Sequence, residues 1–154
     1  MTRRAIAWIG LLAMTAGILA ATPGTGAAAK EKEILLQSQM SGDQVVQQTG
    51  GDPDGSGVAT VLVDARDGVA CFDVQTTNVD TPITGHIYSG SAGAIGIRQV
   101  LLFENSQEAS VSGCVPADRK TLREIGRNPE RYNLTVSNDG FPAGAIRGQL
   151  EPAP

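Results

Sequence analysis

The chain has 154 residues, 41% of them apolar and only 4% aromatic, with 12 basic and 16 acidic side chains and a formal net charge of −4. That length holds one domain of ordinary size and leaves no room for a second. The acidic balance repels phosphate backbones and argues against nucleic acid as a partner, and so few aromatic residues leave Val, Ile, Leu and Ala to build the core.

Residues 1–29 read as a secretory signal peptide. Arg3 and Arg4 supply the positive start, Ala5 to Ala21 the apolar run, and Ala27, Ala28 and Ala29 a small-residue cleavage site. The alternative is a retained membrane anchor, but the run is near the lower length limit for a span. It also contains Gly10 and Gly17 and is followed closely by Pro23, Gly24 and Gly26. Arg3-Arg4 alone is a weak match to a twin-arginine signal. On this reading residues 30–154 form a mature, extracellular domain without a membrane span, carrying 10 basic against 16 acidic side chains and a net charge of −6. Its two cysteines, Cys71 and Cys114, read as a disulfide in an oxidising compartment, with two free thiols as the alternative. Closing a loop of about 44 residues stabilises a fold by roughly 4 kcal/mol in the chain-entropy account.

Ile34 to Met40 is the first strand expected, and Gly50 to Gly57, "GGDPDGSG", is a loop by composition. Two apolar runs then flank Asp64 to Gly68, where the Asp67-Gly68 pair predicts a tight hairpin. In the second arm Ala70, Phe72 and Val74 share one face, while Val69, Cys71 and Asp73 share the other. Further on, Ile95, Ile97, Leu101 and Phe103 are expected together on one face of a strand, interrupted by Gln99. The stretch from Pro116 to Tyr132 predicts a short helix within a connection, capped by Asp118, with Leu122 and Ile125 as its apolar face and Gly126 and Pro129 as its stop. In "YNLTVS", Tyr132, Leu134 and Val136 should point inward and Asn133, Thr135 and Ser137 outward. The last strand, "GAIRGQL", sets Ile146 and Leu150 on one face and Arg147 and Gln149 on the other. Short strands bounded by Gly, Asn, Asp and Pro predict an all-β antiparallel sandwich or barrel.

The candidates for chemistry are few. His86 is the chain's single histidine. In a strand from Thr84 to Tyr88 it shares a side with those two residues, opposite Ile87. A transition-metal centre needs three or four ligands, usually several imidazoles or thiolates, so His86 is a metal candidate only in company with carboxylates. As a base it has Ser89, Ser91 and Tyr88 nearby, but no Gly-x-Ser-x-Gly elbow occurs. Gly90, Gly93 and Gly96 lack the lysine and the strand-to-helix context of a phosphate loop, and read as turn or strand-edge glycines. Asp52 and Asp54 suggest calcium, but without the acidic end of a calcium-binding loop they read as an exposed acidic turn. Arg119, Arg123 and Arg127 recur at four-residue spacing and form a basic ridge, suited to an anionic partner or simply solvated. Asn133-Leu134-Thr135 is a formal glycosylation sequon. No residue is assigned a catalytic role, and no cofactor is expected.

"ITGHIYSGSAG", then "VSGCVPADRKTLREIGRNPERY", then "FPAGAIRGQL" resemble, in that order, the CHRD domain, a module named for chordin and found in many secreted bacterial proteins. The resemblance runs from about Ile34 to Leu150, and Asn128-Pro129 with Tyr132, and Phe141-Pro142 with the Gly144 to Leu150 run, are its most specific pieces. It implies an immunoglobulin-like antiparallel β-sandwich, akin to the copper/zinc superoxide dismutase scaffold, without established enzymatic activity. It also implies cysteines at positions 71 and 114. Where relatives often carry His-Ile-His, this chain has His86-Ile87-Tyr88, and where many carry a histidine before the Phe-Pro pair it has Ser137. His86 is therefore expected to organise a turn. A fold does not fix a function, and three readings follow. The first is a secreted non-enzymatic module that binds a protein or cell-envelope component. The second is a metal-dependent, dismutase-like enzyme or metal-storage protein. The third is an inhibitor or matrix-binding domain that uses the basic ridge.

Overall fold

A computed structural model describes residues 32–46, 50–81 and 83–154; the expected signal peptide lies outside the described residues. The strands are β1 (Ile34–Ser41), β2 (Ser56–Asp64), β3 (Val69–Thr77), β4 (Ile83–Ser89), β5 (Arg98–Ser106), β6 (Ser110–Pro116), β7 (Tyr132–Ser137), β8 (Ile146–Gln149) and the two-residue β9 (Glu151–Pro152), with one helix, α1 (Arg119–Arg127), between β6 and β7. All pairings are antiparallel. They form a single path, β5-β4-β7-β8-β1-β2-β3-β6, with β9 added on β1. Its two ends, β5 and β6, are joined by residues 107–109 and come side by side, so the sheet curls into a near-closed barrel. The all-β class and the single short helix are as the sequence predicts.

Period-two alternation builds the interior. Leu36 and Met40 from β1, Ala59, Val61 and Val63 from β2, Ala70, Phe72 and Val74 from β3, Ile83 and Ile87 from β4, and Leu134 and Val136 from β7 join one core. Leu122 and Ile125 of α1 cover one part of it. Asp118 caps the helix as expected, accepting from the Thr121 N–H at 2.8 Å. Gly126 is not the stop: it lies inside the helix, where a Cβ would come within 2.7 Å of Ile34, and the helix ends at Arg127 before a single 3-10 turn, Pro129–Arg131.

The Asp67-Gly68 hairpin joins β2 to β3, with Gly68 at φ 75°. Two N–H groups of the turn, those of Arg66 and Asp67, are held by the Asp64 carboxylate. Cys71 and Cys114 stand directly opposite in the β3–β6 register and are joined by a disulfide. The bond therefore ties a strand at the end of the sheet, β6, to its one hydrogen-bonded neighbour.

The predicted face of β5 is reversed. Val100 and Leu102 are the buried residues, whereas Ile95, Ile97 and Leu101 are exposed. The reason is a late start and an extra residue. β5 begins only at Arg98, and its register jumps from Leu101 opposite His86 to Phe103 opposite Gly85. The bulge at Leu102 turns Phe103 back toward the interior. A Cβ at Gly85 would collide with the Phe103 ring. On the other edge Phe72 lies opposite Gly113, and the two phenyl rings meet with centroids 5.7 Å apart. Each ring leans over a glycine, so aromatic packing supports the barrel where its two end strands approach.

Candidate functional site

The outer face of β4, β7 and β8 carries two ordered rows of polar side chains. Antiparallel register aligns His86, Thr135 and Arg147 in one cross-strand row, and Tyr88, Asn133 and Gln149 in the next. These side chains point away from the barrel core, as alternation predicts, yet Asn133, Thr135 and Arg147 are largely covered: each is under a tenth exposed. The cover is the β4–β5 loop, residues 90–97, folded back over β7 and β8. Gly90 at φ 124° and Gly93 at φ 75° supply the left-handed backbone for that fold-back. Their reading as turn glycines holds.

The row residues fasten the loop through its carbonyl groups. Asn133 Nδ2 donates to Gly90 O at 3.0 Å, and Gln149 Nε2 donates to Gly90 O at 3.1 Å, to Glu130 O at 2.8 Å and to Tyr132 O. Arg147 Nη2 donates to Ser91 O at 3.1 Å and Ala94 O at 2.9 Å. Thr135 Oγ1 donates to Asn133 Oδ1, which sets the orientation of the Asn133 amide. Beneath the loop a small, half-open cleft of about 40 Å³ is lined by Arg147, Asn133, Thr135, Val45, Ile95 and Ala143. Burial alone pulls the Arg147 guanidinium below its ordinary value.

His86 stands mid-strand on β4, opposite Leu101 and Thr135, and lies tilted against Tyr88 with ring centroids 5.7 Å apart. It does not organise a turn. Gly85 belongs to the same strand and leaves room for Phe103. The side shared with Thr84 and Tyr88, opposite buried Ile87, is as predicted. Burial first, and then the Arg98 charge, lower the imidazole's affinity for a proton, with Glu104 opposing. Ser89 is engaged with the Ile97 backbone through its hydroxyl, and Tyr88 Oη accepts from Arg98 Nε at 3.1 Å. His86 has no hydrogen-bonded nucleophile among the described residues, so no nucleophile–base pair is built on it.

The remaining candidates scatter. Asp52 is buried, its N–H bonded to Ala145 O at 2.8 Å, while Asp54 is exposed, so the predicted exposed acidic turn is exposed only at its tip. Desolvation, and then the hydrogen bond with the Asp54 side chain, push the Asp52 carboxyl above the usual carboxylate range. No group of three or more His, Cys, Asp or Glu among the described residues could hold a metal ion. On α1, Arg119 lies over Gly68 of the hairpin, whereas Arg123 and Arg127 border a hollow with Lys32, Ile34, Val63 and Leu122. The basic ridge is thus shared between two neighbourhoods. Asn133, the sequon residue, is only 2% exposed and its amide is engaged with the loop.

Arg147, Thr135 and Gln149 were expected only to face outward, and their shared role needs the loop to be placed. The sequence signal was the coincidence of polar residues on one face with a glycine-rich run able to fold back over them.

The class these features define is a disulfide-pinned antiparallel barrel whose polar outer face is roofed by a loop fixed from beneath. No curated protein and no solved structure shows a match to the chain. The family profile described as the CHRD domain matches residues 36–150, and the chain belongs to that family.

Proposed function

We propose that this CHRD-domain protein is exported through its N-terminal leader and acts outside the cell as a non-enzymatic binding or structural module, engaging a protein or cell-envelope component. The observation that carries the reading is the apolar stretch on the β4–β5 edge: Ile95 is 70% exposed, Ile97 71% and Leu101 41%. Large aliphatic side chains held in solvent by an anchored loop, beside a strand at the end of the sheet, fit a docking surface. The immunoglobulin-like sandwich implied by the resemblance belongs to the same proposal, as a flattened form of the barrel.

The dismutase-like or metal-storage alternative has little to stand on. It requires a ligand set, and the described residues group no three candidate ligands. The two readings separate by elemental analysis of protein purified without added metal: stoichiometric copper or zinc, lost in His86→Ala, favours the alternative. The binding reading is tested by capture from the native extracellular fraction, comparing the wild type with an Ile97→Glu, Leu101→Glu double variant. A partner captured by the wild type and lost by the folded variant is expected. Equal capture by both would overturn this surface as the docking site.

A further inference from the structure

Arg147 is only 6% exposed, yet no acidic side chain among the described residues pairs with it. Buried charges are ordinarily paired. Asp43 borders an adjoining hollow with Arg147, but it forms no ion pair with it and accepts instead from the Ser41 hydroxyl. A guanidinium carries five N–H donors in a planar fork. Nη2 is committed to the loop carbonyls of Ser91 and Ala94. Nε and Nη1 make no hydrogen bond to the described residues and are not sealed from solvent, since the one buried polar atom without a partner is Ser38 Oγ. The cleft under the loop is the space Arg147 borders.

The other walls narrow the ligand. Thr135, Asn133 and the Tyr88 phenol are neutral, and Val45, Val46, Ile95 and Ala143 are apolar, so Arg147 is the one charged residue of the lining. One unneutralised positive charge suits a monoanion. A dianion would keep an excess charge in a low-dielectric cleft, on a protein already negative overall. Nη2 belongs to both bidentate edges of the guanidinium and is already engaged, so an anion takes single charge-assisted hydrogen bonds from Nε or Nη1, and the apolar rim asks for a short hydrocarbon group beside it.

We propose that the cleft beneath the 90–97 loop binds a carboxylate carried on a short apolar group, with Arg147 taking the anion and Val45, Val46 and Ile95 the hydrocarbon. The carboxylate can belong to a free short-chain acid or to a peptide C-terminus, and the inference does not rest on the docking surface proposed above. The test is a titration of the isotope-labelled protein followed by amide chemical shifts. Hexanoate should produce saturable shifts at Ala94, Ile95 and Thr135, whereas hexanamide and sulfate should not. A peptide ending in valine, compared with its C-terminal amide, assigns the source: tighter binding of the free-acid peptide than of hexanoate points to a peptide end, and the reverse to a free acid. Arg147→Lys should weaken hexanoate at least about ten-fold. Because Arg147 also anchors the loop, that variant can lose its fold; Ile95→Asp, at an exposed position, then decides, with an expected weakening of about five-fold or more. Asp43→Asn should leave affinity unchanged or raise it. Equal response to hexanamide, tighter binding of sulfate, unsaturable shifts, shifts confined to another face, or full affinity in Ile95→Asp would each overturn the site.

Discussion

Replacing both cysteines, Cys71→Ser with Cys114→Ser, tests how the barrel is held at its open side. The crosslink spans 43 residues of sequence, and removing a loop of that size restores denatured-state entropy worth about 4 kcal/mol. The bond also acts locally. β6 is hydrogen-bonded on one side only, to β3, and most of its residues are exposed, with Val111 and Val115 only half-buried. Little apolar burial therefore stands behind the crosslink to keep that strand in place. With unfolding entropy near 2.1 cal/mol/K per residue over a folded part of about 120 residues, a loss of 4 kcal/mol lowers Tm by roughly 15 °C. Urea and thermal unfolding followed by circular dichroism measure the loss, and hydrogen exchange should show the β6 amides losing protection before those of β1 and β2. Wild-type protein in reductant should reproduce both effects. A stability loss under about 1 kcal/mol, with β6 amides protected as in the wild type, would refute the reasoning, because the phenyl rings at Phe72 and Phe103 would then suffice to hold the seam.

Gly148→Ala places a Cβ against the Gln39 carbonyl, where β8 crosses close to β1; since backbone must shift to admit it, a cost of about 1–3 kcal/mol is expected in urea unfolding. His86 binds a proton less readily in the folded chain than the usual value of 6.5. The unfolded state therefore takes up protons first on acidification, and this group's contribution is present above pH 6.5 and lost as pH falls through that value toward the folded pKa. Tm measured from about pH 7.5 down to about pH 5 should fall less in His86→Gln than in the wild type. Asp52 has the opposite sign: its folded carboxyl is raised above 3.8, so its contribution is present below 3.8 and lost as pH rises through the folded value. Asp52→Asn should raise Tm at neutral pH and give no gain in acid.

Local chemistry was the legible part of the sequence. The Asp67-Gly68 turn, the Asp118 cap and the alternation of Ala70, Phe72 and Val74 are each decided within a few residues, and each stands where the pattern puts it. β5 failed because its face depends on an event on its neighbour. Gly85 leaves room for a ring, the bulge opposite takes up one residue, and the phase of Leu101 against Phe103 changes. No periodicity within residues 95–103 contains that information. β7 shows the same limit on its other face. Asn133 and Thr135 alternate correctly with Leu134 and Val136, but alternation only says which side a residue takes, and a loop forty residues earlier in the chain determines that this side is covered.

On the docking reading proposed above, the same loop joins recognition to stability. Its carbonyls are held by Asn133, Arg147 and Gln149, so the isoleucines it displays are positioned from beneath by buried groups that gain most when well paired. Ordering a mobile loop on binding costs affinity, and a loop already ordered avoids that cost. The polar rows on β4, β7 and β8 thus spend burial on placing other groups. Variants that loosen the rows should weaken partner binding in proportion to loop mobility, even where no row residue touches the partner.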